Sequence, residues 1–179
     1  MTSRIFVAVP LDAQTRARCA EVAERLRGAG WLGRWVPPAN YHLTAAFLGA
    51  VDEARIPEVL DAVRGTTAGT PRFAIELARL GGFPTALRPR VVWLGPAATS
   101  PPFAALCGAI RNALGAHGFP FEQDAAPHVT LARADGTAAL PPLAVPPTRL
   151  EVDAVVVYRS ILDPKPTRHE PIERFPLAG

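Results

Sequence analysis

The chain has 179 residues, 49% hydrophobic and 20% charged, a balance that suits one soluble globular unit large enough to bury its own core. No apolar stretch approaches the roughly 18 residues needed to cross a bilayer, and Met1 to Pro10 is not built like a signal peptide, so a cytosolic protein away from membranes is expected. The net charge of +3 suits an anionic partner, yet Lys165 is the single lysine among 19 basic residues; with abundant Ala, Pro and Gly, that skew reads as GC-rich codon usage more than as a nucleic-acid footprint.

Taken in order, Ile5 to Val9 is a short β-prone run stopped by Pro10. Asp12 stands where it can cap a helix whose apolar positions Cys19, Val22 and Leu26 step by three and four, and Gly28 and Gly30 end it. A short strand is predicted at Arg34 to Val36. Pro37-Pro38 then interrupts, and Tyr41 to Leu48 is a strand closed by Gly49. Asp52 opens a second helix with Ile56, Val59, Leu60 and Val63 on its buried stripe and Gly65 at its end. Arg72 to Leu80 predicts one strand, Gly81-Gly82 and Pro84 a turn, and Arg90 to Leu94 the returning strand of a hairpin. Thr99 or Ser100 caps a third helix with Pro101-Pro102 in its first turn, apolar along Phe103, Leu106, Cys107, Ile110 and Leu114, and ended by Gly118. His128 to Arg133 is a strand, Asp135 to Thr148 a Gly/Pro/Ala-rich loop expected to be mobile, and Leu150 to Tyr158 and Arg168 to Phe175 the last strands. That mixture predicts an α+β fold, mostly antiparallel sheets with helices on their outer faces.

One pattern occurs twice. His42-Leu-Thr-Ala-Ala-Phe47 reads H-x-T-x-x-F and His128-Val-Thr-Leu-Ala-Arg133 reads H-x-T-x-x-R, with the histidines 86 residues apart. On an extended strand His42 and Thr44 share one face, as do His128 and Thr130, while Leu43 and Val129 face the core. If the two strands lie side by side or face to face, four polar groups converge where a phosphodiester fits. One neutral imidazole takes a proton from water and one protonated imidazole gives a proton to the leaving oxygen, each transfer worth roughly 10²–10⁴ in rate. The threonine hydroxyls donate to phosphate oxygens and Arg133 clamps the phosphate. Strand parity raises a difficulty: Phe47 and Arg133 are each five residues past their histidine, an odd step that sends them to the other face of a straight strand. They reach the cleft only if each strand bends or bulges.

These residues resemble the two-histidine phosphoesterase superfamily, and within it the RNA 2′,3′-cyclic phosphodiesterases formerly called 2′-5′ RNA ligases. The likeness runs through Arg4-Ile-Phe-Val-Ala-Val-Pro-Leu, Asn40-Tyr-His-Leu-Thr-Ala-Ala-Phe-Leu-Gly, Phe83-Pro, Arg88-Pro-Arg-Val-Val-Trp-Leu-Gly and Pro127-His-Val-Thr-Leu-Ala-Arg. It implies that residues 1–179 make one two-lobed domain with pseudo-duplicated H-x-T strands, bilobal, with the cleft between two sheets. It implies hydrolysis without metal or other cofactor, with His42 as general acid protonating the ribose O3′ and His128 as general base activating water, giving a 2′-phosphomonoester. Thr44, Thr130 and Arg133 bind the phosphate and Phe47 stacks on the base. The partners it implies are RNA 3′ ends carrying a 2′,3′-cyclic phosphate, or cyclic nucleotides, acted on by a monomer. Ala45 stands where a larger aliphatic is usual, and His169 about where Tyr is common. The alternatives are 2′-5′ joining of RNA ends at the same site and a non-catalytic nucleotide or RNA binding module.

The remaining candidates have blander readings. Cys19 and Cys107 are expected as buried reduced thiols. His117 follows a helix end and suits its dipole. His169 is expected at the surface, Asp124 in a turn, Arg90 on the surface, and Trp31, Trp35 and Trp93 in packing or at a rim. No carboxylate or third histidine sits at metal-ligand spacing from the histidine pair in sequence.

Overall fold

The computed structural model describes residues 1–120 and 126–179. Strand β1 is Thr2–Pro10, helix α1 Ala13–Gly28, β2 Arg34–Trp35, β3 His42–Asp52, helix α2 Ile56–Thr67, β4 Phe73–Leu77, β5 Arg79–Phe83, β6 Val91–Gly95, helix α3 Pro101–Ala116, β7 Val129–Arg133, β8 Thr148–Val152, β9 Ala154–Ile161 and β10 Arg168–Pro176. Pro38–Asn40 and Glu53–Arg55 form 3-10 turns. Asp12 caps α1 through the backbone N–H of Thr15 at 2.7 Å. Asp52 caps the 3-10 turn ahead of α2, through Ala54, and α3 starts at Ser100 with no side-chain cap.

The fold is α+β, with two antiparallel sheets. The larger runs β10-β9-β1-β3-β7-β6-β5, with β2 paired to β7; the smaller is β4-β8. Its two halves, β10-β9-β1-β3 and β7-β6-β5 with β2, meet at one residue pair, Leu43 opposite Val129. Both residues are fully buried. The helices cover the face they point to: α3 packs on β3, α1 on β7, and α2 on α3 and the β9-β10 pair. Phe103, Leu106, Ile110 and Leu114 of α3 are buried there, as its apolar stripe requires.

Two predicted features come out differently. Arg72 to Leu80 is not one strand but β4 and β5, broken at Ala78, with β4 paired to β8 and β5 to β6. Gly81 and Gly82 are not a turn; they lie inside β5 opposite Trp93 and Val92. A side chain at Gly81 would stand 2.2 Å from the Trp93 ring, so glycine is there for close approach and not for turning. The long loop after β7 is tied down by Leu140 N–H to the Ala86 carbonyl and by Arg25 to the Ala144 carbonyl, and Leu143 and Val145 pack on the core.

Register resolves the parity difficulty. Along β1 and β3, Ala8 pairs with Thr44 and Val7 with Ala46, so Ala45 is an extra, bulged residue. Along β6 and β7, Trp93 pairs with Thr130 and Val92 with Ala132, so Leu131 is bulged. Each bulge falls three residues after its histidine. One inserted residue flips the alternation, which returns Phe47, opposite Phe6, and Arg133, opposite Val91, to the face of His42-Thr44 and His128-Thr130. The Leu131 carbonyl left over by its bulge accepts the backbone N–H of Val36 at 2.9 Å.

Candidate active site

His42 opens β3 and His128 immediately precedes β7. Extending the Leu43–Val129 register by one residue each way sets His42 opposite Thr130 and Thr44 opposite His128. The imidazoles then take opposite corners of a rectangle whose diagonal is roughly 7–8 Å on a regular ladder. Each ring is held the same way. His42 Nδ1–H donates to the Asn40 carbonyl at 2.7 Å, and His128 Nδ1–H donates to the Ala126 carbonyl at 2.9 Å, in both cases the carbonyl two residues before. That bond fixes the neutral tautomer, with the proton on Nδ1 and the lone pair on Nε2. Asn40 is itself anchored, its side-chain amide donating to the Thr167 carbonyl at 2.6 Å.

Aromatic rings complete each socket. Phe6 packs on His42 with ring centres 4.8 Å apart, and Phe83 meets His128 edge-on at 5.2 Å. The Thr44 hydroxyl donates to His42 Nε2 at 3.0 Å. Thr130 is half-buried on β7. Phe47 is half-buried on the cleft face with the Arg4 guanidinium 5.4 Å from its ring centre, and Arg133 is exposed at the end of β7. The six residues singled out in sequence thus share one face of one sheet.

Burial is the main cause that lowers the His42 pKa from the ordinary 6.5 to about 4; the Asn40 carbonyl opposes it, and repulsion from His169 and His128 adds to it. His42 is therefore neutral at pH 7 in the free protein.

His169 is not a bystander. It lies on β10 opposite Ser160, with its ring 5.3 Å from that of His42 and 4.8 Å from Phe6, and its Nδ1 3.3 Å from the Ser160 hydroxyl. Burial lowers its pKa as well. Sequence reasoning placed it on the surface because nothing local shows that β10 joins the same sheet as β3, with β9 and β1 between them, and reaches the first motif; the missing signal is the β1-β9-β10 pairing. Phe6, Asn40 and Phe83 went without roles for the same reason.

The other candidates fall elsewhere. His117 caps the end of α3, 3.9 Å from the Glu58 carboxylate. Cys19 and Cys107 are buried, and burial pushes both thiols up to about 12. Arg90 is exposed, Trp31 and Trp93 pack inside the second lobe, and Asp124 lies outside the described residues. Among the described residues no group of three or more His, Cys, Asp or Glu side chains stands close enough together to hold a metal, and no helix is long and apolar enough to cross a membrane.

Paired H-x-T strands joined at a single rung, with each histidine Nδ1 held by the carbonyl two residues before it, define a two-histidine phosphoesterase architecture. The sequence profile described as LigT like phosphoesterase matches residues 9–93. The RNA 2′,3′-cyclic phosphodiesterase of Thermotoga maritima is 32% identical over 166 residues, covering 90% of this chain and 88% of that one. The protein of the same name from Aeropyrum pernix is 35% identical over 167 residues, covering 87% and 90%. The structure of E. coli LigT complexed with 3′-AMP superposes with a TM-score of 0.79 at 27% identity over 99% of both chains. The chain belongs to the LigT-like phosphoesterase family.

Proposed function

We propose that this protein is an RNA 2′,3′-cyclic phosphodiesterase, hydrolysing the cyclic phosphate at an RNA 3′ end, or on a small nucleotide, to a 2′-phosphomonoester. The names of its relatives support that activity. What supports the mechanism is the register that sets two imidazoles at diagonal corners around one β rung, both with the proton on Nδ1 donated to a carbonyl.

His128 takes a proton from water as the oxygen attacks phosphorus; the P–O3′ bond breaks, and His42 gives its proton to O3′. The lowered pKa of His42 sets a condition on that role, since an acid must hold its proton. The anionic diester supplies the missing charge: bound beside His42, it favours the imidazolium and raises the pKa back. The Nε2 proton so gained, the one His42 gives, points to O3′, and the Thr44 hydroxyl, released from Nε2, donates to a phosphate oxygen. Thr130 donates from the opposite strand, Arg133 opposes charge growing on the phosphoryl oxygens, and Phe47 stacks on the base, an interaction worth about 1–3 kcal/mol and indifferent to base identity.

The test is turnover of an oligonucleotide ending in a 2′,3′-cyclic phosphate by the purified protein in EDTA. The expected product is the 2′-phosphate, with His42→Ala and His128→Ala each losing at least about 10²-fold in kcat. Activity abolished by EDTA and restored by Zn²⁺ overturns the metal-independent mechanism; joined RNA ends in place of the 2′-phosphate overturn hydrolysis in favour of ligation.

A further inference from the structure

Arg34 and Arg133 are direct cross-strand partners on β2 and β7, and both are exposed. Like charges placed directly opposite on a ladder repel, and neither guanidinium has an acidic partner among the described residues. The nearest carboxylate in sequence, Asp135, is occupied by the backbone N–H and hydroxyl of Thr137. The arrangement is electrostatically unfavourable until an anion lies between the two.

An open pocket of about 940 Å³ adjoins this pair, beside the histidines and not over them, lined by Trp31, Leu32, Arg34, Arg133, Thr137 and Leu140 among others. Its size falls in the range of small-molecule sites. Leu32 stands 83% exposed on its rim, a large apolar side chain with nothing on it. Through the Leu131 bulge, Arg133 faces the same side as Thr130 and His128, so one residue both lines the pocket and belongs to the second H-x-T motif.

We propose that this pocket is a second nucleotide subsite. It receives the nucleoside on the 5′ side of the RNA terminus, and the phosphodiester joining that nucleoside to the terminal one is held by Arg34, next to Arg133, which faces the cyclic phosphate. An apolar wall for a nucleoside next to two unneutralised guanidiniums suits a nucleotide better than an acidic peptide, which has no flat apolar group to offer at each charge. The inference rests on RNA ends being the substrate, and it assigns this enzyme a preference for an RNA chain over a free cyclic mononucleotide.

The experiment compares kcat/KM for a 2′,3′-cyclic mononucleotide with that for a trinucleotide ending in a 2′,3′-cyclic phosphate. The wild type should prefer the trinucleotide about tenfold or more, the equivalent of one good phosphate contact. Arg34→Ala should lower the trinucleotide value about tenfold more than the mononucleotide value, and Arg34→Lys should restore part of the difference. Removing one of two repelling charges should leave the melting temperature no lower than wild type, which separates lost binding from lost folding. Separately, equilibrium binding of a trinucleotide bearing a 2′-phosphate is followed against salt; the slope of log K on log[salt] should fall by about 0.7 in Arg34→Ala, one contact on a single strand. Equal losses on both substrates, or an unchanged salt slope, overturn the subsite. A wild type that turns over neither cyclic phosphate overturns the RNA-end reading instead, and the salt slope still decides the subsite.

Discussion

On the proposed mechanism His42 carries two opposed demands, burial that strips its proton and chemistry that needs it. The sign of the pKa shift makes this testable. With the free value near 4, the His42 ring should titrate at higher pH when a nucleoside 2′-phosphate is bound than in the free protein, followed by NMR of the ring protons. Equal values with and without the nucleotide sink the proposal that substrate charge recruits the acid. The same shift couples to stability. The unfolded ring binds its proton near 6.5 and the folded ring near 4, so between those values the unfolded state holds more protons. The stability tied to the neutral ring is complete above pH 6.5 and is lost as pH falls to about 4. The loss is at most roughly 3 kcal/mol. Urea unfolding from pH 7 to 4 should show this loss in the wild type and a shallower one in His42→Gln; identical slopes refute it.

A strand with a perfect period of two would have kept Phe47 and Arg133 from the cleft. The bulges at Ala45 and Leu131, each three residues past a histidine, are what let a six-residue motif present its first, third and sixth side chains together. Deleting Leu131 straightens β7 and turns Arg133 to the helix side, so the deletion should lose at least as much kcat/KM as Arg133→Ala; activity above that of Arg133→Ala contradicts the bulge argument. In the neighbouring hairpin, Gly81→Ala forces a Cβ into the Trp93 ring. Overpacking of this kind costs about 1–3 kcal/mol. Because Trp93 supports Phe83 and Phe83 packs on His128, the variant should also lower kcat at temperatures where it stays folded, measured by thermal melts alongside steady-state rates. The element scale is also where sequence reading failed on detail. Arg72 to Leu80 looks like one strand because Ile75, Leu77 and Leu80 are apolar throughout; the break at Ala78 exists because the two halves pair with different partners, β8 and β6.

Across the whole molecule, the two halves of the larger sheet touch through the Leu43–Val129 rung, and the relative placement of His42 and His128 is a property of that joint. Leu43→Ala should cost about 2–5 kcal/mol, as buried Leu-to-Ala changes do. Leu150→Ala, equally buried but in the β4-β8 ribbon, should cost a similar amount. The two differ in catalysis: at a temperature where both are folded, Leu43→Ala should lower kcat well below that of Leu150→Ala. Equal kcat values show that the rung does not position the histidines.

The sequence by itself determined the local pieces. Apolar periodicity marked the three helices, β-prone runs marked the strands that carry His42-Thr44 and His128-Thr130, and the repeat of H-x-T singled out the two histidines, because each of these is written within a few consecutive residues. Only the tertiary structure decided that the two motif strands share one rung, that bulges bring Phe47 and Arg133 onto the working face, that His169 stands against His42, and that Arg34 stands against Arg133. Those depend on which strands pair and in what register. Pairing is set by the summed packing of residues far apart in the chain, and a one-residue slip that no short segment encodes would point every one of these side chains the other way.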